Sequence, residues 1–151
     1  MKKGYFKFYQ ELLKRNFICT LATASLKGKP EAATMLYAEK DDGNLYLYCF
    51  NDARKYPNIV ENPRASIVIF NSPDYLQMDG TFTELSKKEA IIARTKLIEK
   101  HGNKEDYHAD SRCRYFCFKP KWISIRVEHD YPAKYATLKA DKSDEWIVEE
   151  R

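Results

Sequence analysis

Two adjacent cations, Arg54 and Lys55, have the clearest potential for binding chemistry in this sequence. They lie in the segment NDARKYPNIVENPRASIVIF, after a predicted strand and at the start of a short helix predicted over residues 53–62. The N-terminal end of a helix already carries partial positive charge, so two cations there are unfavourable unless an anion completes the site. Arginine offers a phosphate a bidentate fork, lysine offers a point charge, and backbone N–H groups add donors. The pattern predicts a phosphate site, with a solvated charge pair as the alternative.

Other residue types that bind metals or act as nucleophiles show no such pattern. The three histidines, in no spacing typical of metal ligands, are His101, His108 and His129. The four cysteines, which form no CxxC motif, are Cys19, Cys49, Cys113 and Cys117. We therefore expect no metal site, and we interpret the cysteines as reduced thiols of a cytoplasmic protein.

Hydrophobic periodicity and turn signals predict the elements that position these residues. Apolar residues recur at helical spacing over residues 2–15 and 87–102, and Ser86 with Glu89 predicts a capping box at the second helix. Strands are predicted at residues 17–24, 32–40, 45–51, 64–70, 75–86 and 113–128, with a further short strand near 134–139. Gly80, inside the fifth of these strands, predicts a bulge or a close approach of another backbone segment.

The order of elements indicates the fold class. One helix is followed by consecutive strands joined by hairpins, which predicts a mainly β protein with flanking helices, a small antiparallel barrel. The 151 residues argue for a single domain, residues 1–151. Residues 103–112 are predicted as a polar loop, and 113–128 as one long strand or a pair broken near Pro120. The acidic end is predicted as a solvated tail in which Trp146 docks, on its own chain or across a dimer.

The composition restricts the function classes. The net charge of +4 is mild and evenly spread, so charge alone does not indicate a nucleic-acid partner. No apolar run approaches the roughly 20 residues of a membrane-spanning helix, and the first residues do not resemble a secretory signal. The 11 Tyr and 8 Phe residues could stack on single-stranded nucleic acid. Most of them alternate within apolar strands, so we expect them in the core and predict neither a nucleic-acid nor a membrane partner.

The stretch LYLYCFNDARKYPNIVENPRASIVIF resembles a segment of the pyridoxamine 5′-phosphate oxidase family, in which a strand leads to Ser-Arg-Lys, a short helix, Asn-Pro and another strand. The stretches AATMLYAEK and YLQMDGTFTEL are similar to family strands that lie beside the flavin. The resemblance implies an FMN-binding split barrel in which Arg54 and Lys55 hold the FMN phosphate. It also implies a homodimer with the flavin in a groove between the subunits. The further cofactor-binding residues that it implies are Thr34, Met35, Leu36, Tyr48, Cys49 and Gln77.

Departures from the family pattern limit what the resemblance implies. Two more cations of the family's phosphate site fall near Ala33 and Ala38 here, and the C-terminal substrate clamp has no counterpart. We therefore expect a flavin-dependent oxidoreductase with an unknown small-molecule substrate and electron donor, not a vitamin B6 oxidase. Three alternatives stay open: a haem-binding split barrel with His101 or His108 as axial ligand, a deazaflavin-binding protein, and a non-enzymatic flavin-binding protein.

Overall fold

The computed structural model describes residues 2–103 and 105–150. Within these ranges the helices are α1 (Lys2–Arg15), α2 (Lys55–Glu61), α3 (Lys87–His101) and α4 (Glu105–Ala109). The strands are β1 (Ile18–Ala24), β2 (Pro30–Leu36), β3 (Ala38–Glu39), β4 (Leu45–Phe50), β5 (Arg64–Asn71), β6 (Asp74–Glu84), β7 (Cys113–Glu128), β8 (Lys134–Ala140) and β9 (Trp146–Glu150). No helix in the described ranges is long and apolar enough to cross a membrane.

The strands form one antiparallel sheet whose pairing path leaves the barrel open. Neighbouring strands follow the order β2-β1-β5-β6-β7-β4-β3, and β8 and β9 extend the sheet from β7. Only Tyr37 separates β2, which pairs with β1, from β3, which pairs with β4. Among the described residues β2 does not pair with β4. The fold is therefore the predicted mainly β protein with flanking helices, an antiparallel split barrel.

The break between β2 and β3 is anchored by the side chain of Tyr37. This residue is fully buried, and its hydroxyl lies 2.7 Å from each of the backbone oxygens of Leu13 and Asn16, which share its single donor hydrogen. A buried hydroxyl needs a hydrogen-bond partner, so the chain is held to the end of α1 at this point. The single strand predicted over residues 32–40 is therefore two strands with different partners.

Helix α1 confirms the helix predicted over residues 2–15. Its apolar face packs onto the core of the barrel. Tyr9, Leu12 and Leu13 are almost completely buried and belong to the main core cluster. The Tyr9 hydroxyl donates to the backbone oxygen of Gly43 at 2.6 Å. Alternate residues of β1 are buried, as expected for a strand with one face on the core.

The bulge predicted at Gly80 is present between β6 and β7. The register shifts between Asp79 and Gly80, and Gly80 lies opposite Pro120. A Cβ atom at Gly80 would lie 2.2 Å from the backbone oxygen of Lys119, so this close approach requires glycine. Because the bulge accommodates Pro120, β7 continues unbroken through this position.

The start and end of α3 follow the local signals. The Ser86 side chain accepts from the Glu89 backbone N–H, and the Glu89 side chain accepts from the Ser86 backbone N–H, which is the predicted capping box. The helix ends at His101, before Gly102 at a positive φ of 83°. Short-range chemistry therefore fixes both ends of this element.

Two predictions for the C-terminal part were wrong. The loop predicted over residues 103–112 contains helix α4, and the solvated tail is an edge strand, β9, paired with β8. Trp146 and Val148 of β9 pack against the core cluster, which gives this acidic segment an apolar face. The Trp146 ring lies 5.9 Å from the Phe6 ring of α1, so Trp146 docks on its own chain.

Candidate functional site

A groove opens along the split of the barrel, between β2 and the end of β4. Strand β3 pairs with the start of β4, where Ala38 lies opposite Tyr46. If this register continued, Leu36 would lie opposite Tyr48, yet in the described part of the chain β2 pairs with β1 alone. The facing edges of β2 and β4 therefore present backbone N–H and C=O groups that have no strand partner. Such edges can hydrogen-bond the polar rim of a ligand.

Two cavities lie along this groove, and Lys55 lines both. The strand cavity, between β2 and β4, has a volume of about 310 Å³ and is lined by Thr34, Met35, Leu36, Tyr48, Cys49, Phe50, Asp52, Ala53, Lys55 and Tyr107. The cation cavity, between β1, β2 and the start of α2, has a volume of about 280 Å³ and is lined by Leu21, Thr23, Glu31, Ala32, Ala33, Arg54 and Lys55. Together the two volumes lie within the roughly 300–1,000 Å³ of small-molecule sites.

Most of the residues predicted to bind a cofactor meet in this groove. Those in the strand cavity are Thr34, Met35, Leu36, Tyr48, Cys49 and Lys55. Arg54 lines the cation cavity. The structure therefore brings seven of the eight predicted residues to one groove.

Gln77 is the predicted residue that lies elsewhere. Along one row of the sheet, Thr34 pairs with Thr20, Thr20 with Val68, and Val68 with Gln77. Paired residues point to the same face, so Gln77 and Thr34 share the outer face of the sheet. Three strand spacings separate them, about 14 Å, and Gln77 lines neither cavity.

The two cations differ in their surroundings. Arg54 is the N-cap of α2, and its side chain is 78% exposed. Its Nη2 and Nε donate to the same oxygen of Glu31, at 2.9 and 3.2 Å. Lys55, the first residue of α2, is half-buried and forms no ion pair with any carboxylate that the structure describes. Lys55 is thus the cation whose charge is available to a ligand, whereas Arg54 already has an anionic partner.

Glu31 brings a carboxylate into the cation cavity. It shares the inward face of β2 with Ala33 and Met35, and its side chain is 15% exposed. While one oxygen accepts from Arg54, the other accepts from Nδ2 of Asn58 on α2 at 3.0 Å. The carboxylate therefore links the strand to the helix. Sequence reasoning missed Glu31, although the two-residue period of β2 places it on the cavity side of the strand.

An aromatic wall, formed by Phe50 and Tyr107, lines one side of the strand cavity. The ring of Tyr107, on α4, stacks on Phe50 with 5.9 Å between centroids and 29° between planes. The Arg112 guanidinium carbon lies 4.6 Å from the centre of the Phe50 ring, and Nη1 of Arg112 lies 2.9 Å from a carboxylate oxygen of Asp52. These contacts hold the loop before Arg54 against the segment around α4. No motif in the sequence signals Tyr107 as a wall residue.

The thiol in the strand cavity is a lining group, not a nucleophile. Burial raises the pKa of the Cys49 thiol to about 11, although the nearby Lys55 ammonium acts in the opposite direction. A thiol with this pKa is protonated at neutral pH, and the thiolate is the reactive form. Cys113 and Cys117 are half-buried and pack against the smaller core cluster.

The histidines lie outside both cavities. His101 Nε2 donates to the backbone oxygen of Tyr37 at 2.6 Å. His108 is buried, with Nδ1 2.5 Å from the Tyr115 hydroxyl. Burial, assisted by the charge of Arg94, lowers the pKa of His108, which favours its neutral form. Within residues 2–103 and 105–150, no cluster of three or more metal-ligating side chains occurs.

Comparison with known proteins decides the family. The family profile described as pyridoxamine 5′-phosphate oxidase matches residues 6–126, most of the chain. This chain belongs to the pyridoxamine 5′-phosphate oxidase family. Among curated members, the pyridoxine/pyridoxamine 5′-phosphate oxidase of Alkalilimnicola ehrlichii is 32% identical over 74 residues, which cover 48% of this chain and 38% of that protein. The match therefore spans well under half of that relative.

Solved structures show the same fold over more of the chain. A pyridoxamine 5′-phosphate oxidase-related, FMN-binding protein from Nostoc punctiforme superposes with a TM-score of 0.74 at 15% identity, over 99% of this chain and 95% of that one. A haem-binding protein from Mycobacterium smegmatis superposes with a TM-score of 0.73 at 18% identity, over 87% of this chain and 57% of that one. At these identities the likeness concerns the fold, and the fold occurs with two different ligands.

This member of the oxidase family carries alanine at two positions where the resemblance places cations. Ala33 lines the cation cavity. Ala38 is 2% exposed, belongs to the smaller core cluster and lies outside both cavities. The cations that line the cavities in the described chain are therefore Arg54 and Lys55.

Proposed function

We propose that this member of the family binds FMN in the groove, with the phosphate in the cation cavity and the flavin ring in the strand cavity. The observation that carries the proposal is Lys55. It is half-buried, has no carboxylate partner among the described residues, and lies where the two cavities meet. A partly buried lysine without a carboxylate partner among the described residues, at the junction of two cavities, favours an anionic ligand with a larger neutral part.

The residues of the groove have distinct tasks in this proposal. Lys55 supplies a point charge to the phosphate, and Arg54 adds those of its five N–H donors that Glu31 does not occupy. The unpaired edge of β2 at Thr34–Leu36 bonds the polar rim of the ring, and the wall around Tyr107 excludes water. A bound flavin supplies hydride or electron transfer. We therefore propose a flavin-dependent oxidoreductase that acts on a small molecule.

The proposal includes a homodimer. The outward residues of β1 and β2 form a sheet face without a charged side chain: Ile18, Thr20, Ala22, Thr34, Ala32 and Leu36. Ile18 on this face is 54% exposed. Interface cores are depleted in charge, so a second copy of the chain fits here. Gln77 shares this face at about 14 Å from Thr34, and a second copy would bring its own Gln77 towards the groove.

A cytoplasmic location is also part of the proposal. All four cysteines are free thiols. The reducing cytoplasm keeps thiols in this state, whereas secreted proteins tend to pair them. The free thiols support an intracellular site of action.

Haem is the second candidate, because the M. smegmatis haem-binding protein shares the fold. A haem needs an axial ligand, commonly histidine. His101 and His108 each have one ring nitrogen engaged by a protein oxygen, and neither lines a cavity of the groove. Because neither histidine lines the groove, its residues favour FMN over haem.

The visible absorption spectrum of the purified protein tests both candidates. The spectrum is recorded before and after addition of FMN and desalting. A retained two-band flavin spectrum is the expected result, and a Soret band without flavin would favour haem. A protein that retains neither chromophore would refute the proposal. Screening of electron donors with the flavin-loaded protein then separates an oxidoreductase from a flavin-binding protein without activity.

A further inference from the structure

The cation cavity contains its own anion. Glu31 projects from β2 into the cavity that also exposes Arg54 and Lys55. Both of its carboxylate oxygens are used: one by two nitrogens of Arg54 at 2.9 and 3.2 Å, the other by Asn58 at 3.0 Å. Because Asn58 is buried and also bonds Thr23 at 3.3 Å, the carboxylate is held in place from the helix side.

This carboxylate changes the electrostatics of the cavity for a phosphate. Of the three charged side chains that line it, two are positive and one is negative. A phosphate monoester carries about −1.5 to −2 charge at neutral pH, so Glu31 both repels it and occupies donors of Arg54 that it would use. The Glu31 side chain is 15% exposed, so water screens this repulsion less than at an open surface.

We propose that Glu31 competes with the cofactor phosphate for Arg54. Because Glu31 holds the Arg54 side chain, it limits how tightly the site retains FMN. The inference rests on the proposed function. It makes the bound flavin exchangeable, because the phosphate must share Arg54 with a fixed carboxylate. Affinity for the phosphate then depends mainly on Lys55, and the rest of the flavin is bound independently of Glu31.

The substitution Glu31→Gln tests the competition. The amide keeps an oxygen that can accept from Asn58 while the negative charge is lost. We expect the affinity for FMN to rise by roughly tenfold, equivalent to about 1.4 kcal/mol. The affinity for riboflavin, which has the same ring and ribityl chain but no phosphate, is expected to stay unchanged. Both affinities are measured by titration of flavin fluorescence, with no need for a known reaction.

Glu61→Gln is the matched control. Glu61 is exposed at the opposite end of α2 from Arg54, so its substitution removes the same net charge outside the cavity. It should leave the affinities for both flavins within about twofold of the parent values. If Glu31→Gln loses its cooperative thermal transition, Glu31→Ala takes its place, and the expected gain in FMN affinity is the same.

A double-mutant cycle with Arg54→Gln separates competition for Arg54 from plain repulsion. When Arg54 is absent, Glu31→Gln should raise FMN affinity by much less than tenfold, because no guanidinium is left to release. An equal gain in both backgrounds would contradict the role of Arg54.

The competition would be overturned if Glu31→Gln left FMN affinity unchanged or lowered it while the parent bound FMN. A parent chain that binds neither FMN nor riboflavin would overturn the proposed function itself, and the competition with it.

Discussion

The unequal roles of Lys55 and Arg54 give the sharpest prediction. A charge-assisted hydrogen bond from a partly buried ammonium group to a phosphate is worth about 1.5–3 kcal/mol, so Lys55→Gln should weaken FMN binding by about 10- to 100-fold. Arg54 is 78% exposed and already paired with Glu31. An exposed cation contributes only about 0–1 kcal/mol to an ion pair. The pair of Arg54 with the phosphate should therefore be weak, and Arg54→Gln should reduce FMN affinity by no more than about fivefold.

Fluorescence titration with FMN and with riboflavin measures this difference. Because both substitutions act on the phosphate, riboflavin affinity should change little in either variant. Lys27→Gln is the control, since Lys27 is exposed in the turn between β1 and β2 and its loss removes the same charge. Equal losses of FMN and riboflavin affinity in Lys55→Gln would place Lys55 beside the ring. A larger loss in Arg54→Gln than in Lys55→Gln would refute the reasoning from ion pairing.

Three further outcomes follow from the geometry. Gly80→Ala should destabilise the fold by about 3 kcal/mol or more in chemical denaturation. Gly4→Ala is the control: a Cβ atom there would have no neighbour within 4 Å, and the substitution should stabilise the fold by about 0.5–1 kcal/mol. Similar effects of the two substitutions would argue against the close contact at the bulge. Tyr107→Leu should weaken FMN and riboflavin alike, and a loss confined to FMN would contradict its place in the wall. The hydrogen bonds from Arg15 hold the pKa of Asp74 below its ordinary 3.8, so this carboxylate stabilises the fold above that pH and loses its effect as the pH falls through the lowered pKa. Asp74→Asn should therefore cost about 1–3 kcal/mol at pH 7 and flatten the acid limb of the stability curve, and an unchanged acid limb would refute this linkage.

The elements that the sequence predicted well depend on short-range signals. The capping box at Ser86 and Glu89 is complete within one helical turn, and the alternation in β1 needs only neighbouring residues. The bulge at Gly80 also has a local signal, because glycine interrupts an otherwise regular strand. The adjacency of Arg54 and Lys55 belongs to the same class, and both residues do line the groove.

The features that the sequence did not reveal depend on contacts between distant segments. Glu31 and Arg54 form an ion pair although 23 positions separate them in the sequence. No local pattern predicts that a strand residue will pair with the N-cap residue of a helix. The stacking of Tyr107 on Phe50 requires α4 to fold over the end of β4. The tail forms strand β9 because it pairs with the edge of β8 and because the Trp146 ring stacks on the ring of Phe6 in α1. Each of these outcomes is decided by tertiary packing, which overrides local composition.

A crystal structure of the protein grown with FMN tests the central claim most directly. The account predicts the phosphate in the cation cavity, with an oxygen at hydrogen-bond distance, about 2.7–3.2 Å, from Nζ of Lys55. It also predicts the flavin ring beside the Thr34–Leu36 edge of β2. A flavin bound elsewhere, or one whose phosphate avoids Lys55, would contradict the account.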